Sequence, residues 1–260
     1  MLSDFQPWLE RWSLEADGQP FITPYAGSRL LPVRQAGAAA MLKLAASDDE
    51  RRGAAVMDWW GGIGAAPVLA RAGDALLMVR AEGPRTLDRE EDATATAILC
   101  AAVGALHGER AQAPPPTPPL DRLFAALLNT GDYRLDRPRR VAQALLDAPG
   151  EIVLLHGDIH HRNVLDFGPV GWLAIDPWGF RGERAYDYAN ILRNPDLGRV
   201  MEPGRFDRAR TQIAELAGLE PERLLRWIYA HAGLAAAWEL ADGQDSSRSW
   251  AVLGLAEARL

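Results

Sequence analysis

The sequence predicts an α+β fold in two lobes, a small β-rich lobe over residues 1–80 and a larger, mainly helical lobe over residues 81–260. Three observations predict it. Short apolar runs punctuated by Gly27 and Gly37 fill the first part, apolar residues at helical spacing dominate the second, and the strand signal stops between Arg80 and Pro84. That break is where a hinge is expected.

Taken in order, Phe21 to Tyr25, Leu30 to Val33 and Ala39 to Leu44 read as strands. Ser47 then opens a helix. Asp48, Asp49 and Glu50 fill its first turn, where carboxylates suit the helix dipole, and Ser47 with Glu50 has the spacing of a capping box. Ala65 to Leu69 and Ala75 to Val79 complete a pattern of five strands around one helix. Beyond the hinge, Asp88 to His107 is a helix, and the proline-rich Ala113 to Pro119 is an extended loop that cannot continue it. Helices follow over Asp121 to Asn129, Arg137 to Ala148, Arg184 to Leu192, Phe206 to Ala217, Pro221 to Leu240 and Ser247 to Leu260. Three strand-like pieces, Ile152 to Leu155, Val164 to Phe167 and Trp172 to Ile175, lie among them.

Composition narrows the function classes. A chain of 260 residues with 48% hydrophobic and 24% charged residues can bury a sizeable core. Cys100 is the only cysteine, which excludes an intrachain disulfide and a cysteine metal cluster. Net charge is −7 with no basic stripe, which argues against nucleic acid as a partner. Residues 81–260 hold 26 of the 35 acidic side chains, a balance that suits a cationic small molecule. No apolar run is long enough to cross a membrane and no signal peptide is evident, so the expected compartment is the cytoplasm.

The stretch from Leu155 to Val164 carries the chemistry. It contains His156-Gly157-Asp158-Ile159-His160-His161-Arg162-Asn163, with Asp176 following in Ile175-Asp176-Pro177-Trp178-Gly179. Phosphoryl transfer needs such a set: one Asp to orient the attacking hydroxyl and accept its proton, an Asn and a second Asp to hold magnesium against nucleotide phosphates. Both proposed metal groups are hard oxygen donors, as magnesium prefers. Lys43 adds weight because it is the only lysine among 28 basic residues. A lysine is a compact point charge that enters a narrow phosphate pocket more readily than a planar arginine. It also lies in the strand where a kinase carries its phosphate-pairing lysine.

With these residues placed, the sequence resembles the aminoglycoside phosphotransferases, which share the protein-kinase-like fold, and within them the streptomycin and hydroxyurea phosphotransferases. The likeness is carried by Leu155 to Asn163, Gly171 to Gly179, Ala236 to Gly243, and Glu50 to Ala54 after Lys43. The resemblance implies an ATP- and Mg²⁺-dependent transfer to a hydroxyl of a small molecule, streptomycin first and hydroxyurea or another hydroxylated metabolite second. It implies Asp158 as catalytic base, Asn163 and Asp176 as metal ligands, and Lys43 on the α/β-phosphates with Glu50 as its partner. The hinge from Arg80 to Glu82 is then expected to meet adenine through its backbone, and the loop from Tyr25 to Leu30, with Gly27 and Ser28, to cover the phosphates. Two features depart from the kinase pattern: that loop lacks G-x-G-x-x-G, and Arg80 is unusual at a hinge. For a cationic acceptor, Glu183, Trp238, Glu239 and Asp242 are candidate contacts, since aromatic faces and carboxylates suit guanidinium groups.

Plainer readings compete at several positions. Glu50 is explained equally well by the capping box. Glu239, Asp242 and Asp245 also read as the solvated end of a helix. His156, Asp158, His160 and His161 could form a hydrolase metal cluster, but that leaves Lys43, Asn163 and Asp176 without a role. His156 and His160 read instead as braces of the catalytic loop, and Asp187 as a structural carboxylate beneath it. A catalytically silent nucleotide-binding protein would have lost one of Lys43, Asp158, Asn163 or Asp176, and all four are present.

Overall fold

A computed structural model describes residues 2–23 and 27–260. The N-terminal part comprises α1 (Leu2–Arg11), β1 (Leu14–Ala16), β2 (Phe21–Ile22), β3 (Arg29–Gln35), β4 (Ala38–Leu44), α2 (Asp48–Trp60), β5 (Val68–Ala72) and β6 (Ala75–Val79). Its strands form one six-stranded antiparallel sheet in the order β1-β3-β4-β6-β5, with β2 also paired to β3. Two of these elements went unread in the sequence. In α1 the apolar residues Phe5, Trp8 and Leu9 recur at helical spacing, Trp12 follows just past the helix end, and Phe5 is fully buried against Leu14, Leu31, Val33, Leu42 and Leu77. The strand expected over Ala65 to Leu69 is displaced to Val68–Ala72. Pro67 has no amide hydrogen for the ladder, and Ala66 instead donates to the Ala174 carbonyl (2.9 Å). The expected strand reaching Tyr25 is confined to Phe21–Ile22, and Tyr25 itself lies outside the described residues.

The remainder is mainly helical: α3 (Asp92–His107), α4 (Ala125–Leu128), α5 (Asp136–Asp147), α6 (Ala185–Ala189), α7 (Leu197–Val200), α8 (Arg205–Ala217), α9 (Pro221–Ala241) and α10 (Ser247–Glu257). Among them sit two short antiparallel pairs, β7 (Ile152–Leu155) with β10 (Phe180–Glu183), and β8 (Val164–Asp166) with β9 (Trp172–Ala174). The helix α9 runs through the centre of this part, with Leu224 to Ala237 buried almost without interruption except at Arg226. Two expected helices are shorter than their apolar patterns. Asp121 to Asn129 becomes a 3-10 turn over Leu120–Arg122 and the single turn α4; Arg184 to Leu192 tightens from α6 into a 3-10 turn over Asn190–Arg193. Ala113 to Pro118 forms no helix or strand. Among the described residues, no helix is long and apolar enough to cross a membrane.

One close approach joins the two parts. A Cβ at Gly53 in α2 would come within 2.1 Å of the Pro177 carbonyl oxygen. Only glycine lets the helix lie against the segment that follows Asp176. Beside it, Arg52 Nε donates to the carbonyls of Trp178 and Gly179, each at 3.0 Å. The Glu50 to Ala54 segment therefore docks the helix on the loop that carries Asp176.

Candidate active site

The loop after β7 is built on a buried carboxylate. Asp187 in α6 accepts the backbone N–H groups of His156 and Gly157, both at 2.8 Å, and faces His107 Nε2 at 2.9 Å. Every protein group it meets is a donor or can be one, and its side chain has no exposed surface. The expected structural role of Asp187 is what this geometry describes. Next to it, Gly157 adopts a φ of +90°, where a side chain would be strained. His156 is fully buried and stacked on Trp60 at 6.0 Å between ring centres. Its Nδ1 accepts the Asp158 amide (3.2 Å) while Nε2 meets the Ile175 carbonyl (2.9 Å). A carbonyl can only accept, so Nε2 carries the proton and the ring is neutral. Burial favours that state and pushes the imidazole pKa down, despite the nearby Asp187 and Asp158.

Asp158 stands at the turn this framework makes. Asn190 Nδ2 donates to its Oδ1 at 3.1 Å, and Asn163 Nδ2 lies 3.4 Å from Oδ2, with His160 Nε2 3.5 Å away. Enclosure by the fold pushes its pKa up, but the hydrogen bond and charge of His160 outweigh that and hold it below the usual carboxylate value. A quarter of the side chain remains open (26%), so the group is held but not covered. Asn163 donates from Nδ2 to the Asp158 carbonyl (2.9 Å), and its own carbonyl accepts the Ile175 amide (2.9 Å). Its Oδ1 has no protein partner among the described residues. Asp176 has φ of +61°, a left-handed conformation uncommon for a residue with a Cβ. Such strain persists where the surrounding structure enforces it, as the Ile175 and Trp178 backbone contacts do here. Two hard oxygen donors thus project from adjoining loops with valence to spare, an arrangement suited to magnesium shared with phosphate oxygens and water.

Lys43 reaches this site from β4. The Nζ contacts both Glu50 and Asp176, and the side chain is 10% exposed. Burial alone would depress its pKa, but the charges of Asp176 and Glu50 win and raise it, so the ammonium form is secure. Glu50 answers the ambiguity in its sequence. Its backbone N–H takes the Ser47 hydroxyl as a cap, at 3.3 Å, while its carboxylate turns to Lys43 instead of closing the box.

The hinge residues Arg80 and Glu82 direct their side chains elsewhere. Arg80 bonds Asp17 (2.6 Å) and Glu82 (3.0 Å), which ties the hinge to the end of β1. The Gly83 amide donates to the Asp166 carbonyl (2.9 Å), and the backbone groups of Ala81 and Glu82 form no hydrogen bond among the described residues. A backbone contact to adenine therefore remains open. Ser28 is fully buried, leaving its side chain no open face for phosphates in this conformation.

The four acceptor candidates separate. Trp238 packs edge-on to Trp178, with ring centres 5.6 Å apart, two residues beyond Asp176. Glu239 is ion-paired with Arg193 at 2.8 Å. Asp242 is the exposed C-cap of α9, and Asp245 lies beyond that helix, where it accepts the Ser247 amide. Glu183, a candidate contact for a cationic acceptor, is instead seen saturated by groups of the protein itself. It is buried, accepts Arg223 Nε (2.6 Å) and Nη2 (2.5 Å) and the Gly150 amide (2.9 Å), and has no free face. A residue the sequence reading passed over, Asn190, touches Asp158 directly. The local hint is slight: Asn190 and Asn194 sit four apart, one helical turn, and nothing in that spacing names Asp158 as the partner.

With this geometry in view, the match to known proteins is specific. The family of aminoglycoside/hydroxyurea antibiotic resistance kinases matches residues 11–243. This chain belongs to that family. The kinase is 47% identical over 246 residues to a streptomycin 3''-kinase of Klebsiella pneumoniae, covering 90% of this chain and 92% of the relative. It is 31% identical over 259 residues to a streptomycin 6-kinase of Streptomyces glaucescens, covering 90% and 81%. In fold it is similar to a thermostable mutant of aminoglycoside phosphotransferase APH(4)-Ia in a ternary complex with AMP-PNP and hygromycin B. That likeness has a TM-score of 0.68 at 18% identity and covers 98% and 97% of the two chains. The kinase is therefore a phosphotransferase acting on an alcohol group, with a β-rich N-terminal part and a helical C-terminal part.

Proposed function

We propose that the kinase uses ATP with Mg²⁺ to phosphorylate a hydroxyl of streptomycin in the cytoplasm, and so confers resistance. The observation that carries the chemistry is Asp158: a carboxylate fixed through one oxygen, open through the other, on the loop that also presents Asn163. In this reading residues 1–80 bind the nucleotide, with Lys43 on its phosphates and Glu50 holding the lysine. Asp158 orients the acceptor hydroxyl and takes its proton as that oxygen bonds to the γ-phosphorus and the bond to ADP breaks. Asn163 and Asp176 would hold magnesium, which supplies neutralisation of phosphate charge when bound. Most of the rate then comes from positioning, so no strongly raised pKa is required of Asp158.

The 47% identity to the Klebsiella streptomycin kinase supports streptomycin as acceptor. Trp238 and Asp242 are the side chains we assign to it. Asp242 lies at a helix C-terminus, where the dipole disfavours a carboxylate, so helix stability does not account for it. Glu239 is already neutralised by Arg193, which leaves the acceptor side less acidic than the sequence suggested. That observation favours a second reading, a kinase of the same fold acting on a smaller neutral hydroxyl compound such as hydroxyurea.

The test is ADP release from purified protein with ATP and Mg²⁺, with streptomycin and hydroxyurea in parallel. Saturable turnover with streptomycin and a product heavier by one phosphoryl group is the expected result. Turnover with hydroxyurea alone would replace the first reading with the second.

A further inference from the structure

We infer that Asn190 is the positioning residue for the catalytic base, and that it works through an amide relay anchored on a buried arginine. The inference rests on the reading of Asp158 as that base. Asn190 is 2% exposed and lies at the first position of the 3-10 turn that follows α6. Its Nδ2 donates to Asp158 Oδ1 at 3.1 Å. Since a carboxylate of this kind only accepts, the amide nitrogen must face it, and the amide oxygen must face the other way. There Asn194 Nδ2 donates to Asn190 Oδ1 (3.0 Å) and to the Asn190 carbonyl (2.9 Å), which fixes the orientation from behind. The Asn194 carbonyl in turn accepts Arg205 Nη2 at 2.8 Å, and Arg205 Nη1 holds the Leu192 carbonyl at 3.0 Å. Arg205 is itself 1% exposed and pinned by Asp92 at 2.9 Å.

This chain of donors gives the two oxygens of Asp158 different tasks. Oδ1 has the shorter bond, 3.1 Å from the buried Asn190. Oδ2 has only the longer approaches of Asn163 (3.4 Å) and His160 (3.5 Å). Oδ2 is therefore the oxygen presented to the acceptor hydroxyl, and Asn190 sets the rotation of the carboxylate that presents it. Proper orientation of a reacting group is worth orders of magnitude in rate, and a displacement near 1 Å can cost roughly 10²-fold. A tight turn at Asn190–Arg193, where the apolar pattern alone predicts a continuing helix, places both asparagine side chains on the path to Asp158.

The experiment uses full-length Asn190→Ala, Asn190→Ser, Asn194→Ala and Asp158→Asn with streptomycin as acceptor. Turnover is expressed per ATP-binding site, and melting temperature is recorded for each protein. The expected result is a kcat lower by about 10- to 100-fold for Asn190→Ala, with KM for ATP within about twofold. Asn194→Ala, which loosens the relay but keeps the donor, should lie between it and wild type. Asn190→Ser keeps a polar group in the buried slot, and carries the comparison if the alanine variant does not fold. A folded Asn190 variant with wild-type kcat, alongside an inactive Asp158→Asn, overturns the relay and leaves the base assignment standing. An active Asp158→Asn overturns the base assignment itself. A lowered melting temperature with kcat per site unchanged makes Asn190 structural only.

Discussion

Asp158 and Asp187 belong to one loop framework, yet they stand in opposite conditions. The Asp187 side chain is wholly buried and meets two backbone amides and His107. Asp158 keeps a quarter of its side chain open and has one short bond to a side-chain donor. Asp176, 38% exposed, repeats the second condition, and Glu183, 4% exposed and forked by Arg223, repeats the first. What separates a working carboxylate from a structural one here is unused hydrogen-bonding capacity, not sequence position or charge. Proximity to Asp176, the proposed magnesium ligand, made Glu183 look functional in the sequence. Its partners show that it closes the β7–β10 pair instead.

The sharpest way to break this contrast is to remove the open carboxylates. Asp158→Ala should lower kcat by about 10²-fold or more while ATP binding survives. Asp176→Asn should abolish the Mg²⁺-dependent part of ATP binding, read by titrating ATP affinity against Mg²⁺. Both proteins should lose less stability than Asp187→Ala, because each carboxylate is partly open and leaves fewer buried groups unpaired. Near-normal turnover of Asp158→Ala would remove the base from the scheme.

The saturated partner predicts the reverse. Asp187→Ala strands two buried backbone N–H groups and His107, so it should destabilise the fold by about 3 kcal/mol or more, at roughly 1–3 kcal/mol per orphaned group. Chemical denaturation measures this directly. A variant of wild-type stability with lost turnover would place Asp187 among the working groups and erase the distinction.

How far the sequence exposed all this follows the same physics. The proposed set of Lys43, Asp158, Asn163 and Asp176 could be picked out because phosphoryl transfer asks for particular residue types, and the structure brings Lys43 to Asp176 and Asn163 to Asp158. Gly53 was visible only as part of a family-like segment, since its reason is the Pro177 carbonyl across the cleft. Asn190 was missed because it acts through a partner distant in the chain and no local pattern reports that. The same limit hid the surroundings of Glu183: its Arg223 partner lies on α9, forty residues away. Element boundaries failed where backbone bonds overrode apolar periodicity, as at Pro67 and at the 3-10 turn beginning with Asn190.

Glu183 extends the contrast to pH. Burial pushes its carboxyl up, but the hydrogen bonds from Arg223 and the Gly150 amide outweigh that and hold it below the ordinary value. The folded protein therefore binds this proton less readily than the unfolded chain. Its stabilisation is complete above about pH 4.5 and is lost as pH falls through the depressed folded value. Glu183→Gln should cost about 1–3 kcal/mol at pH 7 and flatten the acid limb of a stability–pH curve, with KM for either substrate unchanged. A raised KM for streptomycin at unaltered stability would return Glu183 to the acceptor site.

Asp242 carries the smallest expected effect and the most specific one. It is exposed, at the C-terminal end of α9, with no cation paired to it among the salt bridges of the described residues. By the rule that separates the other carboxylates, it has everything a cation-binding group needs and nothing a structural group needs. Asp242→Asn removes a charge from an unfavourable end of the helix dipole, so stability should hold or rise by a few tenths of a kcal/mol, about 0.3–1 at most. If Asp242 meets the cationic acceptor, KM for streptomycin should rise about three- to tenfold with kcat little changed, and added salt should shrink the difference because exposed charges are screened. An unchanged KM at low salt would mean that openness is necessary for a working carboxylate in this fold but not sufficient. The cationic acceptor would then be recognised through Trp238 and the walls of the cleft instead.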